Sequence, residues 1–168
     1  MAYQKLQVSN GLAVIPSATV RIPNPDTLVT EGADGDCSVA STFSSVAATF
    51  ITDRVRAGAI IYATDIGGTT SKAYYVLSVD SETSLTVSVA DGVIALATTV
   101  FQIYNEATPG CILFAGVAGD MSIQLAQQNG NANTTELMFK GISAGAFMPT
   151  QAIRVDTAST ATDIIALW

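Results

Sequence analysis

Ala73-Tyr74-Tyr75-Val76-Leu77-Ser78-Val79, followed by Asp80-Ser81-Glu82-Thr83 and then by Leu85, Val87 and Val89 at every second position, is the stretch that decides the fold class. Alternate side chains of an extended chain point to opposite faces, which puts Tyr74, Val76 and Ser78 on one side and Tyr75, Leu77 and Val79 on the other. The polar quartet 80–83 interrupts two runs rich in β-branched and aromatic residues, which predicts a hairpin. Residues 59–63 before it and 100–104 after it have the same texture, so 58–104 reads as a small meander of four strands. Further along, Met121, Ile123 and Leu125 alternate with Ser122, Gln124 and Ala126, and a polar loop over 127–135 leads into 137–140, implying a second hairpin. Residues 152–155 and 164–168 read as two more strands around the Ser/Thr-rich turn 157–162.

Helix signals are weak. Only 42–50 could compete, and its Ser, Thr and Val content favours coil or strand. Pro16, Pro23 and Pro25 break up the opening region, and a proline cannot donate to a central ladder, so 1–30 reads as an extended arm or edge strands. Gly32, Asp34, Gly35 and Asp36 then suggest a loop and a boundary. The expected architecture is all-β: an antiparallel sandwich or jelly-roll-like layer, a small β-barrel or meander module, and an extended N-terminal arm. The expected division is an arm with edge strands over 1–37, a small β module over 38–105, and a C-terminal β domain over 106–168 that packs with the N-terminal strands.

Composition bounds the function. The 168 residues are 49% hydrophobic and only 12% charged, with seven Lys and Arg against fourteen Asp and Glu and no histidine. There is enough chain for one core or two small ones, and the surface must be poor in charge. A formal charge of -7 with no basic block would repel nucleic acid, since such affinity comes from clustered Lys and Arg; Arg54 and Arg56 are the nearest approach to a cluster. Polybasic membrane docking fails for the same reason. No secretion-signal pattern opens the sequence, and no uncharged apolar run reaches the roughly 18 residues of a membrane span; 92–104 is the longest candidate. Cys37 and Cys111 read as buried free thiols rather than as a disulfide.

Without histidine, the Ser-His-Asp and Cys-His arrangements and His-containing zinc sites cannot be built from this chain. Carboxylate pairs such as Asp34 with Asp36 or Asp53 with Asp65 read as solvated loop groups, and Asp34-Gly35-Asp36 lacks the downstream ligands of an EF-hand. Asp65-Ile66-Gly67-Gly68-Thr69-Thr70 resembles the phosphate loop of sugar kinases, but it lies between strands, where Gly67-Gly68 would supply positive φ for a tight connection. Asp156-Thr157-Ala158 is similar to an aspartic protease triplet with no accompanying feature, and Asn133-Thr134-Thr135 satisfies the glycosylation sequon. Tyr62, Tyr74, Tyr75, Phe101 and Tyr104 could form a stacking platform for bases or sugars, yet strand aromatics usually fill a core. Trp168, which ends the sequence, is expected to pack against its own or a neighbouring subunit.

The C-terminal third carries a resemblance. Gly110-Cys111-Ile112-Leu113-Phe114, Gly119-Asp120-Met121-Ser122-Ile123, Leu137-Met138-Phe139-Lys140-Gly141-Ile142, Ala144-Gly145-Ala146-Phe147-Met148-Pro149-Thr150-Gln151, Ile153-Arg154-Val155 and Ala161-Thr162-Asp163-Ile164-Ile165-Ala166-Leu167-Trp168 resemble small virion structural proteins of tailed bacteriophages. Lys5-Leu6-Gln7 with Val14-Ile15-Pro16-Ser17 is similar to structural proteins of marine phages, and the middle module resembles β-barrel insertions of such proteins. The resemblance implies a non-enzymatic capsid decoration (cement) protein, located in the virion, without cofactor or metal, that contacts itself, as a homotrimer or similar ring, and the major capsid protein. Val14, Ile15, Pro16, Pro23, Phe147, Ile164, Ile165 and Trp168 are the expected contact residues. A tail or spike-base protein and a carbohydrate-binding β module are the alternatives. Low charge and high apolar content suit a chain that buries surface in a repeated assembly.

Overall fold

In the computed structural model, residues 8–88, 99–126 and 136–168 are described, and every regular element among them apart from one 3-10 turn at Pro25–Thr27 is a β-strand. Lys5-Leu6-Gln7, Val89, the first part of the apolar run 92–104, the loop 127–135 and its sequon lie outside the described residues.

Six strands close into an antiparallel barrel: β2 (Leu28–Asp36), β3 (Thr42–Ser45), β4 (Ile60–Asp65), β5 (Ser71–Val79), β6 (Ser84–Val87) and β7 (Thr99–Tyr104), in the spatial order β2-β3-β6-β5-β4-β7. The hairpin over 73–87 is present, with Val76 opposite Val87 and Val79 opposite Leu85. The four-strand meander is not. β7 pairs with β4 and β2, and β6 pairs with β3, because closing the sheet removes the exposed edges that an open meander would leave.

The stretch with Gly32, Asp34, Gly35 and Asp36 is correspondingly a strand of the barrel and not a boundary loop. Glycine is needed there for close approach. A Cβ on Gly32 would stand 2.6 Å from the Phe101 ring, and β2 shifts register between Gly32 and Gly35 to pass over it. Inside, Phe43, Phe50 and Phe101 meet at ring separations of 5.0–6.3 Å, surrounded by Ile61, Tyr74, Val76, Leu85 and Ile103. The β4–β5 connection turns at Gly68 with φ +67°, a region that only glycine enters cheaply.

The remaining strands form an open antiparallel sheet: β1 (Gly11–Ala13), β8 (Cys111–Val117), β9 (Gly119–Leu125), β10 (Leu137–Ile142), β11 (Ala146–Val155) and β12 (Thr162–Leu167), ordered β1-β12-β8-β11-β9-β10. The expected second hairpin is β9–β10, with Ile123 opposite Leu137. The strands flanking 157–162 do not pair with each other; β8 lies between them. β11 bridges β8 and β9, and Ala152 stands opposite both Cys111 and Leu125 where its register shifts. Leu113, Ala115, Met121, Ile123, Met148, Ala152, Val155, Ile164 and Ala166 fill the inner face.

Residues 14–27 tie the two units together. Val14 donates to Ile164, Ser17 to Val155 and Ile22 to Ile153, all through backbone amides, and Asn24 then donates to Glu106 beside the bridge between Pro23 and Ala107. Val20 is buried with Ile60, Tyr62, Ala73 and Tyr104 on the outside of the barrel, and Leu12, Ile15 and Tyr75 pack on that cluster. The proline-rich arm is therefore an internal strap. Both thiols are buried and neither forms a disulfide; Cys37 sits in the barrel core and Cys111 in the sheet core.

Candidate interaction surface

The eight expected contact residues divide by burial. Ile164 and Pro23 are buried, and Val14 and Ile15 are half-buried against their own chain. Trp168 is half-buried on the sheet core; its indole N–H donates to the Thr108 hydroxyl at 2.9 Å, while its backbone exchanges hydrogen bonds with Asn10. Pro16 is exposed. The interior positions follow from the strap: its apolar residues have a partner within the chain.

Phe147 and Ile165, in contrast, face outward on strands that flank β8, and the register brings them into one row. Phe147 of β11 stands opposite Phe114 of β8, Phe114 opposite Ile165 of β12, and Ile165 opposite Ala13 of β1. The Phe114 and Phe147 rings lie 5.1 Å apart. Exposures of 56% for Phe147 and 37% for Ile165 mark a ridge that no described element covers. Ile112 and Leu167, opposite each other, form a second row beside it. Isolated exposed apolar residues are ordinary on a protein surface, but a cross-strand row of large ones is the pattern of a contact surface.

A second feature is the sheet edge. Among the described strands β10 is the outermost beyond β9, and its Leu137 and Met138 are 41% and 46% exposed. Free N–H and C=O groups on such an edge can accept another strand. Lys140 is its one charge, and Gly141, at φ +66°, ends the regular stretch next to a register shift. Phe114 and this edge were not singled out from the sequence, although the alternation Cys111, Leu113, Ala115 against Ile112, Phe114, Gly116 already separates the two faces of β8.

Comparison with protein-family models, curated proteins and solved structures finds no match.

The carboxylates considered from sequence are engaged locally. Asp34 accepts from the Ser45 hydroxyl and the Ala47 amide, and Asp36 from the Ser38 hydroxyl and amide; these bonds hold both below the usual carboxylate range. Asp65 accepts from the amide and hydroxyl of Thr69, which closes the Gly67-Gly68 turn and lowers its pKa. Asp53 accepts from Thr49. Among the described residues no group of three or more His, Cys, Asp and Glu is placed to hold a metal ion, and no helix is long and apolar enough to cross a membrane. Tyr62, Tyr74, Phe101 and Tyr104 are buried, and burial pushes the Tyr104 hydroxyl up to about 12, where it donates to Gln102. Burial likewise pushes the Cys111 thiol up to about 12; its proton is directed at the Ala152 carbonyl.

Proposed function

We propose that this chain is a structural protein of a repeated protein shell, a capsid decoration protein of the tailed-phage kind that seals contacts between its own copies and the major capsid protein. The observation that carries this reading is the outward row of Phe147, Phe114 and Ile165, large apolar side chains held in register by three strands with no described element over them. Burying such a ridge yields roughly 25 cal/mol per Å² of apolar area, and repetition around a shell multiplies that gain into avidity. A low charge density of 12% also favours the reading, because few charged groups would have to be desolvated at a seam. The ridge suits a second copy of the chain, and the β10 edge suits an extended segment of the capsid subunit.

Quantitative mass spectrometry of separated phage heads and tails, with an image locating the chain on the intact particle, tests the assignment. Copy numbers in simple ratio to the major capsid protein are expected. Low copy number confined to the tail would replace this reading with a tail or spike-base role. At the level of the purified chain, Phe147→Asp should abolish self-association in light scattering while leaving the melting transition in place, since the side chain contributes little to the core. A wild-type chain that is monomeric at all concentrations would remove the ridge from the argument.

A further inference from the structure

The strap, β5, β9, β11 and Glu136 just before β10 border an open cleft of about 490 Å³ whose lining includes Arg21, Tyr75, Gln124, Glu136 and Arg154. We propose that this cleft binds a carboxylate group. Its chemistry is unusual for the chain, because two of only seven Lys and Arg residues meet there in a protein of net charge -7. The meeting is built by the backbone. Ser17 N–H donates to Val155 and Ile22 N–H to Ile153, both at 2.9 Å, so the strap runs antiparallel to β11 and sets Arg21 beside Arg154.

Arg154 is only 6% exposed. One of its terminal nitrogens pairs with Glu136, while its Nε–H is buried and has no partner among the described residues. Gln124 is 7% exposed and lines the same cleft. The Tyr75 hydroxyl accepts the Arg21 amide proton at 2.9 Å, which leaves its own proton to give. The Arg21 guanidinium has no ion-pair partner among the described residues. Buried donors are ordinarily satisfied, so the Arg154 Nε–H without a partner, beside the Arg21 guanidinium and the Tyr75 hydroxyl, describes the complement of a missing acceptor.

The class of acceptor follows from charge and shape. Two guanidinium groups against the one carboxylate of Glu136 leave a surplus of one positive charge, which a monoanion neutralises and a dianion overshoots. Guanidinium forks match the two in-plane oxygens of a carboxylate, and the Gln124 and Tyr75 donors would add neutral hydrogen bonds. Such a group could come from an acidic side chain of a polypeptide or from a uronic sugar. The site stands independently of the shell assignment.

The test is an NMR titration of the ¹⁵N-labelled chain, following the arginine Nε–H resonances. The probes are N-acetylglutamate α-amide and glucuronate, each carrying one carboxylate, with sodium chloride at matched ionic strength as the control. Arg21 and Arg154 should shift and saturate with at least one probe, while the exposed Arg54 and Arg56 follow only salt. The tighter probe identifies the source of the carboxylate. Arg21→Gln should weaken the response about tenfold or more without changing the melting temperature, and Tyr75→Phe should weaken it less. Movement of Arg21 and Arg154 no greater than that of Arg54 and Arg56, or an equal response to chloride, would overturn the proposal.

Discussion

Replacing Gly35 by alanine tests the reading of the barrel core most directly. The new Cβ would stand 2.7 Å from Thr99 Oγ1, 2.9 Å from Phe101 Cδ1 and 2.9 Å from Phe43 Cζ. None of the three can yield freely. Thr99, Phe101 and Phe43 are at most 1% exposed, the two rings already meet edge-on at 5.0 Å, and Phe50 backs them at 6.1 and 6.3 Å. Thr99 also donates to the Gly35 carbonyl at 3.0 Å, a bond that a displaced side chain would lose. Overpacking costs about 1–3 kcal/mol and the lost hydrogen bond about 1 kcal/mol, while alanine recovers about 0.4–1 kcal/mol through the unfolded chain. The expected net loss is about 2 kcal/mol, or a melting temperature lower by about 4–8 °C for a protein of this size. Urea and thermal melts followed by circular dichroism measure it. Phe101→Leu introduced together with Gly35→Ala should cost about 1 kcal/mol less than Phe101→Leu in the wild type, because the smaller side chain makes room for the methyl group. Gly67→Ala, whose nearest atoms would lie 3.9 Å away, should change stability by no more than about 0.5 kcal/mol. A Gly35→Ala variant that melts with the wild type, or a double variant whose losses simply add, would refute the packing argument.

Other outcomes are equally specific. Hydrogen bonds lower the pKa values of Asp34, Asp36 and Asp65, of Asp80 through Ser78 and Thr86, and of Glu82 through the backbone and side chain of Thr52. Between the folded and unfolded pKa values the unfolded chain binds more protons, so this stabilisation is complete above the ordinary carboxylate range and is lost as pH falls below about 4. An acid titration of the melting temperature should show that decline, and Asp65→Asn should be less stable at neutral pH and less sensitive to acid. Ellman's reagent at mildly alkaline pH should leave Cys37 and Cys111 unlabelled in the native protein and label both after denaturation, because both are buried and the Cys111 proton is held well above its ordinary pKa. Prompt labelling of the folded chain would contradict the core assignment. Trp168→Ala should cost about 2 kcal/mol in a urea melt by removing the Thr108 hydrogen bond and part of the sheet core; an unchanged midpoint would show that the indole is dispensable to the fold.

Strand identity is readable because its signal is local. Alternation at residues 73–79 and 121–125 states which faces are apolar whatever lies nearby, and both segments are strands at those positions. The arm is legible as extended chain from its prolines, but its apolar residues suggest neighbouring subunits as partners, whereas Val20 and Ile22 bury themselves between the two units of their own chain. The glycines of β2 mislead for a physical reason. Gly32 and Gly35 indicate a turn by composition, and only the presence of Phe101 above them explains why a strand requires them.

The same boundary separates the candidate surfaces. Phe147 and Ile165 stand out in the sequence only as single residues, and their union through Phe114 depends on β8 lying between β11 and β12. The pairing of Arg21 with Arg154 in one cleft is not legible at all, since nothing in either local sequence refers to the other. Amino-acid order by itself determined the all-β character, the absence of histidine chemistry and the low charge, because each depends on composition or on two-residue periodicity. Tertiary structure alone decided barrel closure, strand order and which side chains share a surface, because hydrogen bonds between distant strands and the burial of their common faces choose among pairings that local propensity leaves equivalent.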